Sequence, residues 1–583
     1  MLFPIDNASR QIKELNGIWQ FKQEQFLEEG FKNKWYENGL ENTIEMPVPA
    51  SYNDITTDRK LRDHVGWVWY ERVFSVPKLW ENQRIVLRFG SVTQHAVVYV
   101  NGAEVTRHKG GFMPFEVEIT EKVKAGDNRV TVAVSNMLDW TCIPCGEVGI
   151  KKSDLYPEGR LEQEYWFDFF NYSGIHRPVR LYCTPKDYIS DITVKTDVNG
   201  NDGLVKFEIM TYGEELPVQV TVLDEQGNMV ASAETRNGEV TIANVHLWQP
   251  GTAYLYTLRV TMGEDEYSLP FGVRTVRVTD KEFLINEKPF YFKGFGKHED
   301  SDIRGKGLDE ALNVRDFELL KWIGANSFRT SHYSYSEEIM QMADRQGIVI
   351  IDEVPAVGMN FFYDKAVFTA ERVNEKTLEH HKDVLKELYE RDKNHPCVVM
   401  WSVTNEPNSG EENAQTYFTE VAEHMRSLDQ ERPITGIMQT DVADDKISQL
   451  FDVICINRYF GWYVGTGELE SIYPRMKKDL ISWNQKYKKP VIVTEYGADT
   501  VAGLHKLPEV MFSEEYQIEY LQENNRAMDE CDFVIGEHIW AFADFMTSAG
   551  LRRVDGNKKG IFTRNRQPKA AAFMVRRRWR EEK

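Results

Sequence analysis

The chain has 583 residues, 42% hydrophobic and 28% charged, which makes it a globular protein too long for one core and sized for about three to four domains. Its formal net charge of −21 repels nucleic acid and anionic membranes and removes both as partners. No apolar run reaches the roughly 18 residues that a membrane-spanning helix needs.

Residues 1–183 alternate in the strand period. Runs at 66–74, 84–89, 96–100 and 129–134 are separated by turn signals such as Asn101-Gly102 and Gly110-Gly111, which predicts a jelly-roll β-sandwich. Residues 184–276 repeat the pattern on a smaller scale, at 192–194, 204–209, 218–222 and 256–260, and fit a seven-strand immunoglobulin-like β-sandwich. From 277 to 583 short apolar strands alternate with amphipathic helices. The strands fall at 290–295, 326–330, 348–352, 398–403, 434–438, 453–457, 491–494 and 533–539. Helices are expected at 309–323, 336–346, 374–392, 469–487 and 513–530, with a closing helix at 569–579. Such alternation predicts a (β/α)8 TIM barrel.

Six scattered cysteines, Cys142, Cys145, Cys183, Cys397, Cys455 and Cys531, do not describe a disulfide scaffold. With no basic or apolar signal region after Met1, they point to a reducing cytoplasm. Cys142 and Cys145 form a lone CxxC with no second pair or nearby histidines, so loop packing is favoured over metal or redox chemistry. No metal and no cofactor are expected.

Barrel chemistry sits at the C-terminal ends of the strands. The fourth strand runs into Asn405-Glu406-Pro407 and the seventh into Thr494-Glu495-Tyr496-Gly497, so both place a Glu at the rim. Strands four and seven face each other across the barrel, and two such carboxylates can flank one glycosidic bond. A retaining glycosidase needs them about 5–5.5 Å apart, one to attack C1 and one to protonate the leaving oxygen. Mutual repulsion keeps one protonated near neutral pH. A single strand-end Glu is more often a loop cap or an Arg partner; the pair carries the chemical reading.

These two motifs, with the order sandwich, immunoglobulin-like domain, barrel, resemble glycoside hydrolase family 2. Within it the chain is similar to bacterial β-glucuronidases along nearly its whole length. The specific stretches are Phe167-Asp168-Phe-Phe-Asn-Tyr172, Gly294-Phe-Gly-Lys-His-Glu-Asp300, Phe328-Arg-Thr-Ser-His332, Asp392-Lys-Asn-His-Pro396, Asn457-Arg-Tyr-Phe-Gly-Trp-Tyr463 and Gly556-Asn-Lys-Lys-Gly-Ile-Phe562. The resemblance implies Glu406 as acid/base, Glu495 as nucleophile and Asn405 on the sugar 2-OH. It implies that Asp168, from the sandwich, and His332 meet ring hydroxyls, and that Asn457, Tyr459 and Trp540 line the sugar. Asn557 and Lys559 would take the C6 carboxylate, with Tyr463 and Arg553 beside them. The expected partners are small-molecule glucuronides, and relatives imply a homotetramer.

The stretch Arg552-Arg553-Val-Asp-Gly-Asn-Lys-Lys559 is cationic in an acidic chain, as selection for one extra carboxylate requires. By itself it reads as a solvated loop. Family members usually have Pro at Ser334 and Asn at Ala541, and the segment 358–376 is short. Two other readings compete: a family 2 β-galactosidase or β-mannosidase, which has no use for Asn557 and Lys559, and a non-catalytic lectin, which gains nothing from two repelling carboxylates.

Overall fold

The computed structural model describes residues 1–360 and 366–581; part of the short segment at 358–376 therefore lies outside the described residues. The N-terminal sandwich packs a six-stranded sheet on a four-stranded one. The larger sheet runs in the order Ile44–Val48, Gly17–Gln23, Trp67–Val76, Gly126–Ser135, His95–Val100, Ala103–Lys109. The smaller runs Gln11–Glu14, Val179–Thr184, Arg84–Phe89, Phe115–Glu118. Inward residues such as Trp19, Tyr70, Leu87, Val98 and Val132 form their shared core. The second sandwich has sheets of three and four antiparallel strands, the expected seven. Its first strand spans Tyr188–Asn199, well beyond the 192–194 run, because Lys195, Asp197 and Asn199 alternate outward while the backbone pairs with Asp202–Tyr212.

The barrel closes with eight parallel strands: β1 Phe292–Gly296, β2 Ser327–Arg329, β3 Val349–Glu353, β4 Val398–Asn405, β5 Ile434–Met438, β6 Ile454–Asn457, β7 Val491–Glu495 and β8 Val534–Trp540. All eight expected strands are present. Buried on both faces, they read as continuous apolar runs. Around them lie α1 Glu310–Ile323, α2 Glu337–Gln346, α3 Glu375–Asp392, α4 Glu412–Leu428, α5 Ile472–Tyr487, α6 Glu514–Asp529 and α7 Ala570–Arg580. Asp309 and Ser336 cap α1 and α2 by accepting from Leu312 N and Ile339 N, and Gly324 and Gly347 end them at positive φ. β4 runs two residues past its apolar stretch, because a register shift after Ser402 pairs Asn405 with Ile437.

The sandwich is bolted to the barrel by buried charge. Arg88 makes two bonds to Glu337 of α2, at 2.9 and 3.0 Å, and Arg177 reaches Glu299 at 3.0 Å. The sandwich loop 165–172 enters the barrel mouth, where Phe170 N donates to Met546 O at 2.9 Å. No helix among the described residues is long and apolar enough to cross a membrane.

Candidate active site

Glu495 is the last residue of β7, and Glu406 follows β4 directly. Their surroundings differ. Glu495, 4% exposed, accepts from the Arg329 guanidinium on one oxygen and from Tyr459 Oη at 2.6 Å on the other. Arg329 ends β2, is fully buried, and also holds Glu353 at 2.7 and 2.9 Å. Glu353 in turn accepts from Ser402 Oγ at 2.6 Å and contacts His332 Nδ1 at 3.0 Å. Burial works against the charge of Glu353, but Arg329 and His332 outweigh it and keep the carboxyl below its usual range.

Among the described residues the Glu406 side chain receives one bond, from Asn457 Nδ2 at 2.8 Å. Burial, and secondarily the charge of Glu495, raise its carboxyl to about 8. Its backbone sits in the left-handed region at φ 49°, pinned by Glu406 N donating to Ile437 O at 2.8 Å. A non-glycine residue held there costs about 1–3 kcal/mol, a strain typical of reacting positions. Asn405 accepts on Oδ1 from Asn457 at 3.3 Å and lies 3.4 Å from Arg329 Nη1, and among the described residues nothing accepts from its amide N–H groups.

Trp540 ends β8 and stacks on His332, with centroids 5.0 Å apart and planes 26° apart. Its seat needs two glycines: a Cβ on Gly296 would fall 2.4 Å from the indole, and one on Gly497 would fall 1.9 Å from Trp540 O. Backbone bonds fix this strand end, Trp540 N to Tyr496 O and Ala541 N to Lys559 O, both at 3.1 Å. The residue at 541 therefore acts through its main chain. Ser334 Oγ turns to Phe112 O at 3.3 Å and Met113 Sδ at 2.9 Å.

The second half of the pocket is a charged ring. Asp168 holds Arg553 at 2.9 and 2.5 Å and accepts from Asn557 at 2.8 Å. Arg553 also reaches Asp499 at 3.3 Å and Tyr463 Oη at 2.8 Å. Lys559, fully buried, pairs with Asp499 and donates to Tyr463 Oη at 2.8 Å. Burial disfavours ionised Asp499, yet Lys559 and Arg553 outweigh it and hold the carboxyl below its usual range. Arg553 and Lys559, which the sequence presents as part of a cationic stretch, are paired in the fold with Asp168 and Asp499.

All twelve residues singled out in the sequence fall in one connected network. It runs from Glu406 through Asn457, Asn405, Arg329, Glu495 and Tyr459 to Tyr463, whose ring lies 5.1 Å from that of Tyr459, and so to the charged ring. Three partners were given no role from sequence: Arg329, Glu353 and Asp499. Arg329 and Glu353 could have been found as charges closing apolar strands, and Asp499 as the acid four residues after Glu495.

Two other clusters lie elsewhere. Cys142 and Cys145 are buried and unbridged, and their thiols donate to carbonyls, Pro144 O at 3.4 Å and Cys142 O at 3.2 Å. Asp344, His395 and Cys397 group at the N-terminal end of β4, on the rim opposite the pocket. There His395 Nδ1 meets Asp344 at 2.5 Å; burial is outweighed and the imidazole is pushed up to about 9, so the pair is a His⁺–carboxylate bridge.

A closed barrel with two strand-end carboxylates in unlike environments, reached by a sandwich loop, defines a glycosidase of the three-domain type. The chain belongs to glycosyl hydrolases family 2: its sugar binding domain model matches residues 12–185, the central family 2 model 187–274 and the TIM barrel domain model 276–583. A Paenibacillus borealis protein named beta-glucuronidase is 53% identical, over 100% of this chain and 99% of its own length. The Homo sapiens protein of that name is 46% identical, over 99% and 92%. Among solved structures, an uncultured Clostridium sp. beta-glucuronidase superposes with TM-score 0.97 at 67% identity, covering 100% of both chains. The Ruminococcus gnavus β-glucuronidase in complex with D-glucuronic acid gives TM-score 0.94 at 44% identity, over 99% of each.

Proposed function

We propose that this protein is a retaining, exo-acting β-glucuronidase whose barrel, residues 277–583, works with a loop of the first sandwich, residues 1–183, while residues 184–276 join the two. It hydrolyses β-D-glucuronides to glucuronic acid and the free aglycone. The observation that carries the reading is the pairing of a raised carboxyl at Glu406 with a cation-held one at Glu495, beside the buried Lys559–Asn557 ring.

Glu495, aligned by the Arg329 guanidinium on one oxygen and Tyr459 Oη on the other, attacks C1. Glu406, protonated below about pH 8, passes its proton to the glycosidic oxygen as the aglycone leaves. The resulting glycosyl ester is cleaved by water, which Glu406, now a carboxylate, deprotonates, so the product keeps the β configuration. Asn405 turns its amide N–H groups to the 2-OH. Trp540 and His332 form one wall of the sugar site and Asn457 and Tyr459 another. Asp168 accepts from ring hydroxyls while it orients Arg553. The substrate carboxylate enters a preset ring of donors: the remaining N–H of Lys559, the Asn557 amide and the Tyr463 hydroxyl, which accepts from two cations and so turns its own O–H outward. Preset donors of this kind discriminate against a sugar that lacks the matching group by about 10⁴-fold.

The test is kcat/KM on matched 4-nitrophenyl β-glucuronide, β-glucoside and β-galactoside. A preference for the glucuronide of about 10⁴-fold is expected, and equal rates on the three would defeat the assignment. We further place the protein in the cytoplasm as a homotetramer. Six buried free thiols support the compartment. The oligomer rests on the resemblance, and light scattering should return four times 67.8 kDa.

A further inference from the structure

The barrel's first loop, between β1 and α1, carries a buried lysine that the mechanism above does not use. Lys306, 3% exposed, lies between Gly305 and Gly307 where the loop presses on the sandwich. Gly305 has φ +57°, and a Cβ on it would fall 2.6 Å from the Tyr172 ring; a Cβ on Gly307 would fall 2.6 Å from Ala50 Cα. Ser51 N donates to Arg304 O at 2.9 Å, Leu308 N to His176 O at 2.9 Å, and Lys306 N to Ser51 Oγ at 3.1 Å. The backbone of this loop is thus stitched to the first domain.

From there the side chain runs toward the pocket. Its ammonium donates to Tyr333 Oη at 2.7 Å and lies 4.0 Å from the Tyr333 ring centroid and 4.5 Å from that of Phe169. Tyr333 follows His332 in the chain, and Phe169 follows Asp168. The Phe169 ring also faces His298 at 5.3 Å and His332 at 6.2 Å. Burial lowers the Lys306 amine to about 7, against the pull of Asp300 and Glu299, and Arg177 lowers it further. His176, His298 and Tyr333 are the other titratable groups that face it. Among the described residues no carboxylate bonds to it directly. A cation in such a place is held by aromatic faces, where desolvation makes the attraction strongest.

We propose that Lys306 is a positioning residue for substrate recognition: its ammonium, packed against the rings of Phe169 and Tyr333 where these meet edge to face with centroids 5.4 Å apart, seats the sandwich loop that carries Asp168 in the barrel mouth. The inference rests on the reading of Asp168 as a sugar contact. The Asp168 side chain is itself 44% exposed, so the place of its carboxylate depends on how the loop behind it is docked.

The experiment is a double-mutant cycle on the full-length protein at about pH 6, where the amine is protonated. Lys306→Met should raise KM for 4-nitrophenyl β-glucuronide about tenfold and change kcat by less than about threefold, since the lost contact aligns a binding group and touches no reacting atom. In the background of Asp168→Asn, Lys306→Met should cost less than about threefold more in kcat/KM, because the two act through one contact. Losses that multiply, or a fall in kcat at unchanged KM, overturn the proposal. A wild-type kcat/KM for Asp168→Asn alone would fail the reading of Asp168 and this inference with it; multiplied losses fail the inference alone. If Lys306→Met loses its cooperative thermal transition, Phe169→Leu, which removes the ring and keeps the bulk, takes its place in the cycle with the same deciding outcomes.

Discussion

Two centres share the pocket, and they are built in different ways. The reaction centre stands on strand ends: Arg329 closes β2, Glu353 β3, Asn405 β4, Asn457 β6, Glu495 β7 and Trp540 β8, none more than 4% exposed. Its geometry follows from the parallel ladder, which fixes every strand end relative to its neighbours. The recognition centre stands on loops of two domains. Asp168 and Arg553 meet across 385 residues of chain, with side chains 44% and 14% exposed. Its geometry follows from charge pairing. Damage at the first centre should therefore appear in the chemical step, and damage at the second in the choice of sugar.

The largest effect should come from the reaction centre. Glu495→Ala removes the attacking group and should lower kcat on the order of 10⁶-fold, as for other covalent nucleophiles, with the fold intact because Arg329 keeps Glu353. Stopped assays with 4-nitrophenyl β-glucuronide measure it, and a loss below tenfold would remove Glu495 from the chemistry. Glu406→Gln comes next, at roughly 10²–10⁴-fold on poor leaving groups and less on activated phenols. In the wild type the acid form of Glu406 is lost as pH rises through about 8, so kcat/KM should fall on that side. Glu406→Gln should lose that alkaline limb, and a limb that survives the change belongs to another group.

The recognition centre gives smaller and more selective effects. Lys559→Ala removes one partner of a desolvated pair, a change worth about 2–5 kcal/mol, or roughly 30- to 4,000-fold in kcat/KM on glucuronides. Asp499 keeps Arg553 and the Lys558 amide, so the loss on a β-glucoside should stay within about threefold. Equal losses on both sugars would make the loop a structural support and nothing more. Arg553→Gln should be the mildest. It breaks a pair whose Asp168 side is 44% exposed and a looser 3.3 Å contact to Asp499, which keeps Lys559, so a loss of up to about fivefold that shrinks at high salt is expected.

The same contrast explains what the sequence disclosed. Apolar runs ending in Glu406 and Glu495 could be placed because parallel strands buried on both faces have an unmistakable texture. The apolar run covers only part of the long first strand of the second domain, because Lys195 and Asp197 break the run while the backbone continues. The roles of Arg329 and Glu353 are not legible in the sequence, because a lone charge at a strand end carries no partner with it. The loop 552–559 read as cationic because charge along a chain counts only neighbours in sequence. Asp168 and Asp499, which neutralise it, arrive from elsewhere in the fold.

The most direct test of the account is to trap its intermediate. Incubation with 2-deoxy-2-fluoro-β-glucuronosyl fluoride slows hydrolysis of the glycosyl ester, and peptide mass mapping then locates the attached sugar. The account predicts one label per chain, on the peptide that contains Glu495, and none in Glu495→Ala. A label on Glu406 or any other residue, or an α-anomer as the first product seen by NMR, would contradict it.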